Sequence, residues 1–320
     1  MKARVVAALG PIVDVFLLPV VTLAGVVAWC ARRIGLHRIP LCRAILVRIG
    51  VLPVRRHYYE PFVDPAALRR PLNEERTLPG IDWNIPGQLE LLAELRYAHE
   101  LADLGAPGTG NREFRLVNGS FESGDAEFLY QLIRARKPRR LFEVGSGHST
   151  LIARRAILKN AEEVSGYACK HLCIEPFENP WLESTGVIIR REMVEDVDRA
   201  LFQELEQGDI LFIDSSHMIR PQGDVLTEYL EILPSLKPGV IVHVHDIFSP
   251  RDYPHEWVVN RMWLWNEQYL LEAFLSENAS WRIVAALNLL SHRHFDALRR
   301  VCPYLTPDRE PGSFYLQKIK

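Results

Sequence analysis

The chain has 320 residues, 48% of them hydrophobic and 24% charged, which is enough to bury a full core and exceeds one average domain. Its net charge of −2 conceals an asymmetry, because residues 1–56 hold nine lysines and arginines against a single acid, Asp14, and the rest is acidic. That distribution suits an anionic surface and argues against nucleic acid, since the basic residues sit among apolar ones without interleaved aromatics.

In chain order, residues 5–31 form an apolar run of 27 residues with one charge, long enough to span a bilayer. The run is too long for a cleaved signal peptide, and no small-residue cleavage site follows it. Residues 32–56 supply seven arginines and no acid, so the positive-inside rule keeps the body on the cytoplasmic side. Pro11, Asp14 and Pro19 complicate a simple span, because proline breaks the helix ladder and a buried aspartate is costly. A helix that dips in and returns, packing on a partner, and a buried core helix therefore stand as alternatives. Residues 39–60 are expected along the headgroups, with arginines reaching anionic lipid.

The proline- and charge-rich stretch that follows reads as a linker, and "LELLAELRYAHEL" as a helix. These features divide the chain into an anchor with a basic interfacial segment (1–60), a linker with a helical extension (61–110) and a main domain (111–320). The five cysteines are odd in number and without a CxxC pair; in "CKHLC" Cys173 falls in a predicted core strand, so buried thiols are expected there instead of ligands, in a reducing compartment.

The main domain alternates strand and helix signals, the pattern of a doubly wound, mostly parallel α/β sheet. Helix signals fall at 125–137, 149–160, 200–207, 224–236 and 267–279. Strand signals fall at 140–145, 171–176, 186–194, 209–214, 239–247, 281–287 and 313–320. The last two suggest a hairpin closing a seven-stranded, Rossmann-like sheet.

The first strand ends in E-x-G-x-G (Glu143, Gly145, Gly147), with Ser146, Ser149 and Thr150 completing the turn. A dinucleotide site would place glycine three residues after Gly147, where Thr150 stands. Glycines let the backbone approach a ligand, while the Glu143 carboxylate disfavours a pyrophosphate and favours a cationic guest. Glu175, ending the second strand, suits a ribose diol, because one carboxylate accepts from two hydroxyls. A cationic centre joined to a ribose suggests S-adenosylmethionine (SAM).

At these residues the chain resembles a known family. "FEVGSGHST", "CIEP", "LFIDSSH", "LPSLKPGVIVHVHDI" and "GSFYLQK" together resemble class I SAM-dependent methyltransferases, of the group that includes sugar and macrolide O-methyltransferases. The resemblance covers 111–320 and leaves the apolar segment outside. Ser149 departs from the third glycine of many relatives but fits the G-S-G-x-S-T variant. The resemblance implies an antiparallel last strand, cofactor at the carboxyl ends of strands one and two, and adenine near Glu195 and Asp196.

Asp214 ends strand four, with His217 three residues on, and Asp246 ends strand five after His243 and His245. Adjacent strands would bring Asp214 and Asp246 together, a pair suited to a hard cation such as Mg2+. His245 is a further candidate ligand, His243 a core residue, and His217 with Asp214 the catalytic pair, His217 acting as base. Arg251, Asp252, Tyr253, His255, Trp257 and Trp263 form a candidate acceptor wall, with rings to stack on a sugar.

The expectation is a membrane-associated SAM-dependent O-methyltransferase acting on a sugar, glycolipid or natural-product hydroxyl. Its partners are a small-molecule, glycan or lipid acceptor and membrane lipid, with oligomeric state left open. An iron-dependent hydroxylase using His217, His245 and one of the aspartates, and a non-catalytic anchored protein, are the alternatives.

Overall fold

The structure, a computed structural model, describes residues 2–57, 59–102, 104, 114–177 and 179–320, so the expected boundary between 110 and 111 lies outside the described residues. The chain divides into two compact units, Met1–Arg69 and Arg70–Lys320.

The first unit holds α1 (Lys2–Ile34) and α2 (Pro40–Ile49). α1 runs unbroken through Pro11 and Pro19, so the chain does not turn back within it. Its Gly10–Ile34 stretch has a mean hydropathy of 2.2 and is long and apolar enough to cross a membrane. Phe16, Leu18 and Leu23 are exposed, which is not how a core helix presents its side chains. Part of the basic charge is matched inside the unit. Arg32 and Arg55 both pair with Glu60, at 2.8 and 3.5 Å, and Arg56 pairs with Asp64.

In the second unit α3 (Ile85–Glu94) and α4 (Asp125–Arg136) precede β1 (Arg140–Val144), α5 (His148–Glu163), β2 (Lys170–Ile174), β3 (Ile188–Arg190) and β4 (Ile210–Ile213). α6 (Asp224–Thr227) passes through a π-helical turn, Glu228–Ile232, into α7 (Leu233–Ser235). β5 (Ile241–Val244), α8 (Glu267–Leu275), β6 (Trp281–Ala286), α9 (Leu287–Arg293), α10 (Phe295–Val301) and β7 (Phe314–Lys318) complete it.

The strands form one sheet in the order β3-β2-β1-β4-β5-β7-β6, parallel except for β7, which runs against both neighbours. Central strands buried on both faces read as continuous apolar runs. Phe142, Val144, Leu211, Ile213, Val242 and Val244 face one core, and Leu141, Ile210, Phe212 and Ile241 face the other.

Strand order reverses between β1 and β4, and open sheets of this kind bind ligands at the carboxyl ends of the strands flanking such a point.

Several expectations change in detail. β6 and β7 do pair, but α9 and α10 lie between them instead of a tight turn. The third strand shrinks to three residues, and the helix expected at 200–207 is a 3-10 turn, Arg199–Glu204. Much of the proline-rich stretch is not a free linker. Arg76 bonds Glu272 at 2.6 Å, Ile81 is buried in the core, and α3 packs on β6 and α10.

Candidate active site

A cavity of about 760 Å³ opens over the carboxyl ends of β1, β2, β4 and β5. Its floor is the turn from β1 into α5. Gly145 has φ +79, and a Cβ there would lie 1.9 Å from the Asp214 carbonyl oxygen, so only glycine lets β1 and β4 close together. At Gly147 a Cβ would meet nothing closer than Asn179 Nδ2 at 3.5 Å, and the residue lines the cavity.

Glu143 has a different role from the one expected. It is 1% exposed and absent from the lining. Ser149 Oγ and Thr150 Oγ1 donate to its Oε2 at 3.2 and 2.8 Å, and His171 Nε2 bonds Oε1. Strand alternation turns the carboxylate under the glycine turn, where it ties β1 to the first turn of α5 and to β2. Thr150 is buried beside it, accepting from Gly147 N at 3.2 Å, and also does not line the cavity.

Glu175 does line the cavity, accepting from Ser146 N at 3.2 Å and Phe177 N at 3.1 Å. Ser146 and Ser149 line it too, and Asn179 Nδ2 donates to the Ser146 carbonyl at 2.9 Å. Glu195 is in the wall, 3.9 Å from Arg220, whereas Asp196 is exposed and outside it.

Across the cavity the strand-end acids converge as adjacency of β4 and β5 requires. His217 Nε2 lies 3.3 Å from Asp214 Oδ1 and 3.5 Å from Asp246 Oδ2. His245 Nδ1 lies 3.4 Å from Asp214 and 3.5 Å from Asp246, with its Nε2 3.6 Å from Asp125. Asp214, His217 and Asp246 offer ligand atoms within 4.8 Å of one another, so His217 joins the aspartates as closely as the expected His245. His217 and Asp246 are both left-handed, at φ 58 and 59, a backbone strain typical of functional sites.

The electrostatics follow from this crowding. Burial opposes charge on Asp214, yet His245 and His217 hold it well below the usual carboxylate range. Burial pushes Asp246 up to about 6 against the pull of the same histidines, helped by Asp214 and Asp125. Burial disfavours imidazolium at His217, but its bonds to Asp214 and Glu267 and the charge of Asp246 outweigh that and raise its pKa. His243 is a core residue as expected, fully buried, stacked on Tyr315 at 4.1 Å, with its pKa lowered by burial.

The aromatic wall is only partly the expected one. Trp257 and Trp263 line the cavity with Trp265, whose ring stacks on Trp263 at 4.4 Å and lies 4.3 Å from His217. Arg251 turns instead to Glu75 at 2.8 Å, and Asp252 to Arg76 at 3.2 Å. Tyr253 is buried, its hydroxyl accepting from Gln268 N, and His255 is exposed away from the lining. A smaller cavity of about 200 Å³ shares His245, Asp246 and Trp257 and adds Glu122, Asp125 and Glu310.

Sequence reasoning missed Asp125, Trp265 and Glu267, which come from helix starts and a loop distant in the chain. An acid opening each predicted helix was the signal in the sequence for Asp125 and Glu267.

Residues 142–247 match the family model of a methyltransferase domain. That stretch runs from β1 past β5 and builds most of the cavity, and it bears out the resemblance carried by the strand-end motifs. A protein of Archaeoglobus fulgidus, described as uncharacterized, is 29% identical over 170 residues, covering 48% of this chain and 74% of its own. Among solved structures, an O-methyltransferase from Bacillus cereus in complex with SAH is 14% identical, covering 73% of this chain and 91% of that one, at TM-score 0.37. The O-methyltransferase TomG from Streptomyces achromogenes, involved in tomaymycin synthesis and solved with SAM, is 16% identical, covering 72% and 90%, at TM-score 0.34. At such scores these chains are similar in outline only.

Proposed function

We propose that this chain is a SAM-dependent O-methyltransferase attached to a membrane, with its methyltransferase domain on the cytoplasmic side. Its acceptor is a hydroxyl of a sugar, glycolipid or natural product. The observation that carries the proposal is that Glu175 and the Gly145–Gly147 turn share one cavity with the Asp214, His217, Asp246 group.

In this scheme the glycine turn cradles the methionine end of SAM, and Glu175 accepts from the ribose hydroxyls. Glu195 borders the adenine. With its ring neutral, His217 takes the proton of the acceptor hydroxyl on Nε2 while the acceptor oxygen bonds the methyl carbon and the sulfur–methyl bond breaks. SAH leaves as a neutral thioether. Trp257, Trp263 and Trp265 flank the acceptor, and the smaller cavity beside His245 offers acidic side chains to sugar hydroxyls.

The donor set fits a hard cation, because the carboxylates of Asp214 and Asp246 and the His217 ring offer ligand atoms within 4.8 Å of one another. Asp214 and Asp246 would hold Mg2+, with His245 beside them, and the ion would make the acceptor hydroxyl more acidic. The same groups would suit iron, but the methyltransferase-domain match favours methyl transfer.

The test incubates detergent-solubilised chain with methyl-labelled SAM and fractionated membrane lipids and glycans. Alkali-stable label in one fraction is expected, lost in EDTA, restored by Mg2+ and not by oxygen with Fe2+, with SAH affinity unchanged throughout. A chain that binds no SAM overturns the proposal, and full turnover in EDTA removes the metal from it.

A further inference from the structure

We infer that Glu267 is the positioning residue of His217, fixing which ring nitrogen faces the cavity; the inference rests on the reading of His217 as base. Glu267 opens α8, fifty residues from His217, and is fully buried. His217 Nδ1 lies 2.8 Å from its Oε2. The backbone gives a second grip, since the amides of Asn266 and Glu267 donate to the His217 carbonyl at 3.0 and 3.2 Å. α8 therefore holds both the main chain and the ring of a residue kept at φ 58.

With Nδ1 bound from behind, Nε2 is the nitrogen turned toward Asp214 and Asp246. A neutral imidazole carries one proton, and an acceptor at Nδ1 keeps it there, leaving the Nε2 lone pair for the acceptor hydroxyl. This is the logic of a base oriented by a third group. An acid in a first helical turn also favours the helix dipole, but that needs no burial. Here the carboxylate is buried beside Tyr229, Tyr253 and Glu228, a placement that the bond to His217 helps to explain.

The experiment uses full-length chain in detergent and EDTA, labelled with 15N-histidine and read by long-range proton–nitrogen correlation at a pH where the ring is neutral. The resonance missing in His217→Gln identifies the ring. The wild type is expected to carry its proton on Nδ1, and Glu267→Gln to convert it partly or wholly to the Nε2 form. SAH affinity is expected to stay within about twofold in that variant. Once an acceptor is known, kcat should fall roughly 10²–10⁴-fold with KM nearly unchanged, as for other oriented bases, and Glu267→Asp should recover part of it. A wild-type ring protonated on Nε2, or a Glu267→Gln spectrum identical to wild type, overturns the inference. The wild-type spectrum decides even if the variant does not fold. The tautomer readout needs no turnover, so failure to find methyl transfer counts against the proposed function and not against this.

Discussion

Gly145 and Gly147 stand two residues apart in one motif, yet different forces require them. Gly145 is fixed by the protein, through φ +79 and the Asp214 carbonyl, whereas Gly147 is extended and has room. Gly145→Ala is expected to cost about 2–5 kcal/mol, combining left-handed strain with a backbone overlap that cannot relax. Gly147→Ala should change stability by less than about 1 kcal/mol but weaken SAH binding, because the added methyl intrudes on the cavity. Urea midpoints and calorimetry on both variants separate the two, and equal losses of stability would refute the distinction. Glu175→Ala should remove hydrogen bonds to a charged group and weaken SAM binding by about 1.5–3 kcal/mol. Unchanged affinity in a folded variant would remove Glu175 from the cofactor site. The sequence marked all three residues and placed Glu143 with them, whereas packing turns that carboxylate under the glycine turn. Spacing shows that a carboxylate precedes the turn, and only packing shows which way it faces.

Among the elements, the α4–α5 pair depends on Arg134, which is fully buried in α4. Its guanidinium bonds Glu100 at 2.7 Å and Glu163 at 2.6 Å and lies 4.7 Å over Tyr97. Removing the guanidinium leaves the part-buried Glu100 with Tyr130 alone and empties a packed site, so Arg134→Ala is expected to destabilise the chain. Burial opposes the Glu100 carboxylate, but bonds from Arg134 and Tyr130 outweigh it and lower its pKa below 4.5. The stability this gives is complete above the ordinary glutamate range and is lost as pH falls through the lowered value. Urea titrations at neutral pH and near pH 4 should show a larger acid loss in wild type than in Glu100→Gln, and parallel losses would count against the ion pair. None of this was legible from periodicity, which showed α4 as a helix but gave no reason to bury an arginine. α9 and α10 went unread for a related reason. They are seven residues each, too short for a periodic pattern to stand out.

For the whole molecule, the division at Arg69 separates the exposed apolar helix from the sheet. Deleting residues 1–69 should release the chain into the soluble fraction with SAH affinity intact, because the second unit contains every residue lining the cavity. A truncated chain that still pellets with membranes in high salt would show that attachment lies elsewhere.

Local order in the chain was enough to determine the apolar span, the strand–helix alternation, the parallel sheet, and the acids and glycines at strand ends. These depend on short-range periodicity and on backbone conformations that few residues tolerate. The tertiary structure alone decided which of those groups meet. Glu143 turns beneath the glycine turn while Glu175 reaches the cavity, and Arg251 and Asp252 leave the acceptor wall for Glu75 and Arg76. His217 is gripped by Glu267 from α8, and His245 reaches Asp125 from α4. The pairings of His217, His245, Arg251 and Asp252 join residues fifty to more than one hundred positions apart, and the crossing of strands and helices sets them where no local pattern can.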